Sequence, residues 1–324
     1  MSQSVLDILE ANIGEFVSGE AIAQAMMMTR ANVWKEVQKL KQQNYEIESV
    51  RNQGYALMSL NGNLSRKQIL DGLHADTISS LEYLPSVNST NTYAKLLAQD
   101  SNINNALIVS DEQTGGRGRM GRSFHSPAKH GIYMSFILRP TLELIDVQLL
   151  TIAAAVALVR SIKKRLNVNP TIKWLNDIYI DGRKLAGILT EGEIVLETRQ
   201  YRFVVLGLGI NITHDEHLPK DLSAIYTSLE DASHQTIDRN ALITNFINEF
   251  YAIYHTIPHN RTTLIQEYTS YSNILGRKIT IKDEGDTEYE AIDITENGYL
   301  RVRDANNQER ILNSGEVSIR GNFK

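Results

Sequence analysis

A short segment that mixes glycines with arginines is the most chemically suggestive feature of the sequence. Residues 115–122 read Gly-Gly-Arg-Gly-Arg-Met-Gly-Arg, with four glycines and three arginines in eight positions. Glycines let the backbone approach a ligand and expose N–H groups to anions. Arg117, Arg119 and Arg122 supply charge for phosphate or carboxylate. We therefore predict a loop that clamps an anionic ligand and is poorly ordered without it, because it has little to bury.

The same segment matches the dinucleotide-binding pattern G-x-G-x-x-G at residues 116–121, but its surroundings argue against that function. A dinucleotide site requires a helix directly afterwards, whereas Ser-Phe-His-Ser-Pro follows at 123–127. A protein kinase would have valine at position 123 and a later H-R-D motif, and the sequence has neither. An RGG-like RNA-binding segment or a flexible loop remains an alternative, but the strands predicted on both sides favour a ligand clamp.

Composition limits the possible classes of site. The chain has 324 residues, of which 42% are hydrophobic and 22% charged, as expected for a globular protein of two or three domains. It has no cysteine, which excludes a disulfide scaffold, a thiolate nucleophile and a cysteine-ligated zinc site. No signal peptide is recognisable, and the longest aliphatic stretch, about 152–159, is shorter than a membrane helix. We expect a cytoplasmic protein without a membrane partner.

Residues 1–62 predict a DNA-binding winged helix: three short helices followed by a hairpin that turns at 52–54. The third helix follows Thr29 and carries four cations against one acid, net +3, although residues 1–60 have a net charge of −2. Cations bind phosphates and polar side chains read base edges. The alternative is a solvated helix in a protein-binding winged helix. The predicted DNA-binding residues are Arg30, Asn32, Lys35, Gln38, Lys39, Lys41 and Arg51.

In the rest of the chain, the pattern of apolar and polar residues changes near residue 271. Residues 66–270 predict strands at 106–110, 132–138, 171–174, 185–190 and 203–210, with helices at 92–98, 147–166 and 240–255. This mixture indicates an α/β or α+β core. Residues 271–324 alternate apolar and polar side chains between turn signals, which predicts about five short strands forming a small β-barrel.

Five further motifs occur in order along the chain. They are Ser89-Thr90-Asn91, Glu112-Gln113-Thr114, Lys173-Trp174-Leu175-Asn176-Asp177, Arg183-Lys184-Leu185-Ala186-Gly187-Ile188 and Gly207-Leu208-Gly209-Ile210-Asn211. With the glycine–arginine loop, they closely resemble the bacterial biotin–protein ligases that double as biotin-operon repressors, over essentially the whole chain. The resemblance implies an α+β multidomain fold: an N-terminal winged helix-turn-helix (1–62), a central mixed α/β ligase domain (66–270) and a C-terminal SH3-like β-barrel (271–324).

The resemblance also implies a two-step reaction. Biotin attacks ATP to form biotinyl-5′-AMP and pyrophosphate, with Mg²⁺ as a cofactor, and a lysine of a biotin carboxyl carrier protein then takes the biotinyl group. The adenylate is expected to act as corepressor, promoting a homodimer that binds operator DNA. Because the first step joins two anions, its barrier is mainly electrostatic and positional.

Motif positions assign the site residues. Lys184 matches the family lysine at the carboxyl–phosphate junction, and Asp177 is suited to hold Mg²⁺ or to position the incoming amine. Structural alternatives remain: Lys184 as a surface lysine, Asp177 as a loop cap, Asn211 in an Asx turn and Thr90 as an ordinary helix residue. The implied residues are Lys184, Arg119, Asp177 and Lys173 for catalysis; Ser89, Thr90, Asn91, Gln113, Gly116, Arg117, Gly118, Arg119 and Lys184 for biotin; and Arg117, Arg119, Arg122, Asn176 and Asn211 for ATP.

Three positions depart from the family pattern: Leu175 replaces a usual proline, Phe124 a common tryptophan and Met120 a frequent arginine. The first two keep apolar bulk, and the third removes one charge from the loop. One alternative function is a lipoate–protein ligase, against which the glycine–arginine loop, the winged helix and the C-terminal barrel argue. Another is a ligand-sensing transcription factor without catalysis, against which the retained lysine, aspartate and loop arginines argue.

Overall fold

The computed structural model describes residues 4–74, 77–257 and 259–319. The chain divides into two compact units. Unit 1 comprises Met1–Asp71 and Asp238–Asn240, and unit 2 comprises Gly72–Ile237 and Ala241–Lys324.

Unit 1 is a winged helix-turn-helix, as predicted. The antiparallel hairpin β1–β2 follows three helices, and a short fourth helix follows the hairpin. The elements are α1 (Val5–Glu10), α2 (Gly19–Ala25), α3 (Arg30–Gln42), β1 (Glu46–Val50), β2 (Gly54–Ser59) and α4 (Arg66–Asp71).

Hydroxyl N-caps set where the first three helices begin. Ser4, Ser18 and Thr29 each accept a hydrogen bond from a backbone N–H in the first turn, which satisfies one of the donors left free at a helix start. The stripe of Val33 and Val37 on α3 is fully buried against the other helices and the hairpin. Burial of this face leaves the cationic face of α3 exposed.

Unit 2 contains a seven-stranded sheet in the order β3-β4-β5-β9-β8-β7-β6. Only β3 and β4 pair in parallel, and the other neighbours are antiparallel. The strands are β3 (Ser80–Leu84), β4 (Ala106–Ser110), β5 (Gly131–Leu138), β6 (Thr171–Lys173), β7 (Asp177–Ile180), β8 (Arg183–Val195) and β9 (Gln200–Asn211). The helices are α5 (Thr90–Leu97), α6 (Gln148–Lys163), α7 (Leu229–Ser233), α8 (Arg239–Tyr254, whose first two residues belong to unit 1) and α9 (Arg261–Ser270).

Helix α6 (Gln148–Lys163) lies within the predicted helix at 147–166 and is strongly apolar. Among the described residues, the helical segment Leu144–Lys163 has 20 residues and is long and apolar enough, by length and composition alone, to cross a membrane. However, 78% of its most apolar window is buried inside the protein, where α6 packs against β8 and α9. These contacts identify α6 as the core helix of unit 2.

The C-terminal segment forms a separate five-stranded antiparallel sheet within unit 2, in the order β13-β12-β11-β10-β14. The predicted alternation is confirmed where Ile279, Ile281, Leu300 and Val302 are buried. The predicted pair Ile292 and Ile294 is wrong in part, because a register shift between Ala291 and Asp293 places Ala291 and Ile294 in the interior and leaves Ile292 partly exposed. The fold is therefore the predicted α+β arrangement of winged helix, mixed α/β core and small β domain. The strands are β10 (Lys278–Ile281), β11 (Glu288–Ile294), β12 (Leu300–Arg303), β13 (Glu309–Leu312) and β14 (Val317–Ile319).

Candidate active site

A cleft in unit 2 brings most of the predicted site residues together. It opens to solvent, and its walls carry both apolar and polar side chains, as is usual for a small-molecule site. Its walls come from the start of α5, the glycine–arginine loop, the β6–β7 connection, β8, β9 and the segment before β14. The predicted residues that line it are Ser89, Thr90, Asn91, Gln113, Arg117, Gly118, Arg119, Arg122, Lys173, Asn176, Asp177 and Lys184.

One end of the cleft is neutral and polar. Ser89 caps α5, and the backbone N–H and hydroxyl of Thr90 both donate to Oε1 of Gln113, at 2.9 and 3.1 Å. Nε2 of Gln113 donates in turn to the Ser126 hydroxyl at 3.1 Å. These bonds hold uncharged donors and acceptors in fixed positions, as recognition of a neutral polar ring requires.

Asn91 lies at the same end, but its side-chain amide bonds to the protein. Nδ2 donates to the Leu189 carbonyl at 3.2 Å and to Glu191 at 2.8 Å, and Oδ1 accepts from Ser135 at 2.7 Å. A Cβ atom at Gly207 would overlap with Oδ1 of Asn91. Glycine in β9 therefore gives Asn91 the space to hold the polar end together.

The other end of the cleft is charged and connected by hydrogen bonds. Nζ of Lys184 lies 2.8 Å from Oδ1 of Asp177, which also accepts from Nδ2 of Asn176 at 3.1 Å. Arg119 donates to Oδ1 of Asn176 at 2.9 Å. Two cations are thus held by the same short loop, where they can bind an anion.

Lys173 lies beside this network and is partly buried. Burial lowers the pKa of its ammonium group below the ordinary value, and the nearby cations Lys184 and Arg122 act in the same direction. Asp177 and Glu316 oppose this shift without cancelling it. A negatively charged ligand close to Lys173 would stabilise its protonated form and raise its pKa.

The glycine–arginine loop contains a single 3-10 turn, Arg119–Gly121, in which Met120 has a left-handed backbone with φ of 55°. The N–H of Gly118 donates to the Arg122 carbonyl at 2.8 Å. Arg122 also pairs with Glu316 at 2.5 Å. Through Arg122 the loop contacts the segment before β14, and through Arg119 it contacts Asn176 in the β6–β7 connection.

Among the lining residues outside the predicted set, Glu316 and Phe124 have the clearest effect on the charge and shape of the cleft. Glu316 comes from the segment before β14 and pairs with Arg122 and, at 3.6 Å, with Lys282. The ring of Phe124 packs so closely on β9 that a Cβ at Gly209 would overlap with it. The glycine repeat in β9 was a signal for this close approach, whereas nothing near residue 316 pointed to the cleft.

Two predicted residues lie outside the cleft lining. Gly116 lies behind it, since a Cβ there would meet the Phe124 carbonyl and the Ser126 hydroxyl. Asn211 is buried, and its Nδ2 donates to the carbonyls of Thr227 and Lys184 at 3.1 and 3.4 Å. These contacts use the Asn211 amide to hold the backbone at Lys184 and Thr227, so Asn211 lies outside the cleft lining.

Acidic ligands for a metal ion are scarce in the cleft. The part of the chain that the structure describes has no group of three or more His, Cys, Asp or Glu side chains that could hold a metal. Asp177 and Glu316 are the acids that line the cleft, and both pair with cations. Mg²⁺ commonly binds through one or two carboxylates together with substrate phosphates and water. Asp177 fits that pattern only with a phosphate as an additional ligand.

A second surface lies on unit 1, where a groove separates α3 from the hairpin. Of the predicted DNA-binding residues, Arg30, Gln38, Lys41 and Arg51 line it. Asn32, Lys35 and Lys39 are exposed on α3 but lie outside its lining. Lys41 donates to the Ser49 hydroxyl at 3.0 Å and links α3 to the hairpin.

Trp34 also lines this groove and was not among the predicted residues, although its indole is 54% exposed. An aromatic residue on the polar face of a helix was the available signal. Its apolar surface is suited to contact a thymine methyl group in a major groove.

Three family models match the chain. The Biotin/lipoate A/B protein ligase family matches residues 83–211, an HTH domain matches residues 2–56 and the Biotin protein ligase C terminal domain matches residues 274–320. These ranges contain the central strands with most of the cleft, the first three helices and β1 of unit 1, and the C-terminal sheet.

Similar proteins extend the match to nearly the whole chain. The Bifunctional ligase/repressor BirA of Bacillus spizizenii is 36% identical over 304 residues, which cover 93% of each chain. The Biotin--[acetyl-CoA-carboxylase] ligase of Mycobacterium tuberculosis is 30% identical, covering 73% of this chain and 88% of that one. The structure of the Aquifex aeolicus biotin protein ligase in complex with biotin and ATP shares the fold, with a TM-score of 0.63 and 22% identity over 75% of this chain and 99% of that chain. The chain therefore belongs to the family of bifunctional biotin–protein ligases and repressors.

Proposed function

We propose that the protein joins biotin to a lysine of a carrier protein through biotinyl-5′-AMP, and that it represses transcription by binding operator DNA. The observation that carries the enzymatic part is a single cleft with a neutral polar end next to a cationic end. Biotin has both features, because its ureido ring is uncharged and its valerate chain ends in a carboxylate. The cytoplasm, where ATP and carrier proteins occur together, is the proposed location.

In the first step a carboxylate oxygen of biotin attacks the α-phosphorus of ATP, and the bond from that phosphorus to pyrophosphate breaks. Both reactants are anions, so the site must offset their repulsion. Lys184 and Arg119 stand at the junction expected for the reacting groups, with Arg117 and Arg122 on the loop above. Charges held in place by Asp177 and Asn176 need little rearrangement to stabilise the transition state.

In the second step the carrier lysine nitrogen attacks the carbonyl carbon of the mixed anhydride, and AMP leaves. The amine loses a proton to solvent as the amide bond forms, and the Asp177 carboxylate, beside Lys184 in the cleft, can orient the amine for attack. We propose the biotin carboxyl carrier protein of acetyl-CoA carboxylase as the acceptor, which the name of the M. tuberculosis relative supports.

We propose Mg²⁺ as the metal cofactor, held by Asp177 together with ATP phosphates. Mg²⁺ would neutralise part of the phosphate charge. Lys173, whose protonated form is penalised by burial, would add a second positive charge close by once phosphate enters.

Incubation of the protein with ATP and either labelled biotin or labelled lipoate tests this function. We expect pyrophosphate release and labelled carrier protein with biotin. Equal or preferred use of lipoate would favour a lipoate–protein ligase. Binding of biotin without pyrophosphate release would favour a ligand-sensing transcription factor without catalysis.

Replacement of Lys35 tests the DNA-binding surface. If this exposed lysine of α3 contacts a phosphate, Lys35→Ala should lower the slope of log affinity against log salt by about 0.9 per subunit. The loss should be similar for operator and random DNA, because a phosphate contact carries no sequence information. Lys67→Ala removes an equal charge from α4 and serves as the control. A salt slope equal to that of the control would place Lys35 away from DNA.

We also propose that biotinyl-5′-AMP is the corepressor and promotes a homodimer. The glycine–arginine loop has little apolar surface to bury, so a bound polyanion can order it and change the adjoining surface. A dimer would present two α3 helices to a two-fold operator.

Sedimentation of the protein with and without the adenylate, followed by DNA titration of both samples, checks the proposed switch. We expect the adenylate to shift the protein toward dimer and to raise operator affinity together. An unchanged monomer–dimer equilibrium with unchanged DNA affinity would exclude the switch while leaving the ligase activity intact.

A further inference from the structure

The turn between β11 and β12 contacts the loop that carries the cationic end of the cleft. In this turn the carbonyl of Gly298 accepts two hydrogen bonds from outside the C-terminal sheet. Nε1 of Trp174 donates at 3.0 Å, and Nε2 of Gln148 on α6 donates at 2.8 Å. Trp174 is 4% exposed, so its N–H depends on this acceptor.

Two independent features favour glycine at position 298. Its φ is +80°, which side chains with a Cβ rarely adopt. A Cβ there would also overlap with Cδ1 of Ile152, a fully buried residue of α6. The backbone of the turn thus lies directly on the core helix.

A third contact holds the same turn. Arg261 of α9 donates to Oδ1 of Asn297 at 3.1 Å and pairs with the buried Asp146 at 2.5 Å. Contacts from α6, α9 and the β6–β7 loop therefore converge on two consecutive residues of one turn. A turn that only connected two strands would not need these three side chains as donors.

Trp174 connects this turn to the chemistry. It lies between Lys173 and the pair Asn176 and Asp177, which hold Arg119 and Lys184 respectively. A displacement of Trp174 would therefore move both cations. At the other end of the cleft, Thr90 donates to Gln113 and Gln113 donates to Ser126, and none of these bonds involves a residue of this turn.

We propose that Gly298 is a positioning residue for adenylation, acting through Trp174 to hold the Lys173–Asp177 loop at the reacting groups. The C-terminal sheet thereby sets the geometry of the site at a point separate from Glu316. This inference rests on the proposed ligase activity. It assigns an effect on the rate of adenylate formation to the β11–β12 turn, which does not touch the substrate.

Gly298→Ala is the primary test. We expect the turnover number of adenylate formation to fall by about tenfold or more, because small displacements of reacting groups are costly. The KM for biotin should stay within about twofold, since the neutral end is undisturbed. Gly276→Ala is the matched control, because Gly276 has a φ of +72° in the same segment but nothing within 4 Å of an added Cβ. Equal rates for the two variants would overturn the proposal.

A second variant separates positioning from general destabilisation. Ile152→Val removes the Cδ1 atom that an alanine at 298 would meet, so Gly298→Ala combined with Ile152→Val should regain most of the lost rate. If Gly298→Ala does not fold, Trp174→Phe removes the N–H donor and keeps a smaller aromatic ring. It should lower turnover several-fold with little change in KM for biotin. A wild-type turnover number in Trp174→Phe would overturn the proposal.

Fluorescence provides a readout that does not depend on activity. The chain has two tryptophans, so Trp174 is the only one in a Trp34→Phe background. In that background Gly298→Ala should shift the emission to longer wavelength as the indole loses its buried partner, and Ile152→Val should reverse the shift. An unchanged spectrum would contradict the proposed contact. Failure of the ligase proposal itself would appear instead in the wild type, as absence of adenylate.

Discussion

Lys184→Ala is expected to slow formation of the biotinyl adenylate by about 10²–10³-fold, the usual cost of losing one preorganised electrostatic contact. The Lys184 ammonium is the cation that Asp177 orients, at 2.8 Å, at the charged end of the cleft. Without it, the carboxylate of biotin and the α-phosphate of ATP must approach each other with one positive charge fewer between them. Pyrophosphate release in a single turnover measures the effect.

The fold should survive this change. Lys184 and Asp177 remain 31% and 22% exposed, so solvent screens their pair, and its loss should cost at most about 1 kcal/mol of unfolding free energy. Arg183→Ala is the control, since this neighbouring cation is exposed and does not line the cleft. If Lys184→Ala released pyrophosphate as fast as Arg183→Ala, Lys184 would have no role in activation.

Arg119→Gly is expected to preserve formation of the adenylate but to weaken its retention in the cleft. Arg119 reaches across the cleft to Asn176 at 2.9 Å, so the loop is closed over the charged end by this side chain. Without the Arg119 side chain, the adenylate should still form beside Lys184. It should then escape or react before the carrier arrives, because the anhydride is no longer shielded from water and stray amines. The expected result is biotinylation of lysines on proteins other than the carrier, together with faster release of the adenylate from the enzyme.

Labelling of a mixture of carrier protein and an unrelated lysine-rich protein measures this loss of selectivity. Arg199→Gly is the control, because it makes the same substitution in the exposed turn between β8 and β9. If bystander labelling by Arg119→Gly matched that of Arg199→Gly, and adenylate release were also unchanged, Arg119 would not be the clamp.

Local signals were sufficient for most elements of the fold. The apolar stripe and N-cap of α3, and the alternation in β10, β12 and β14, depend on neighbours within a few residues, so the pattern of the chain identifies them. The same holds for motif residues such as Asp177 and Lys184, whose types already specify the chemistry they can perform. The strands at 106–110 and 132–138 were also found, because they are continuous apolar runs.

Elements with weak local signals were missed. Strand β7 is Asp177–Ile180, a four-residue segment that begins with a charged side chain, and it is a strand because β6 and β8 pair on both sides of it. Strand β13 reads Glu-Arg-Ile-Leu and depends likewise on pairing with β12. Helix α9 was not predicted either. Pairing and packing supplied what the sequence pattern did not indicate.

The sequence by itself determined the three segments of the chain and the residue types available for charge chemistry. Only the tertiary structure decided which of those residues share the cleft, since that depends on contacts between residues far apart in the chain. It placed Gly116 and Asn211 behind the lining and brought Glu316 into it. It also laid the carbonyl of Gly298 on Trp174, 124 residues away. No periodicity encodes such contacts, because they arise from the packing of the C-terminal sheet on α6 and the β6–β7 loop.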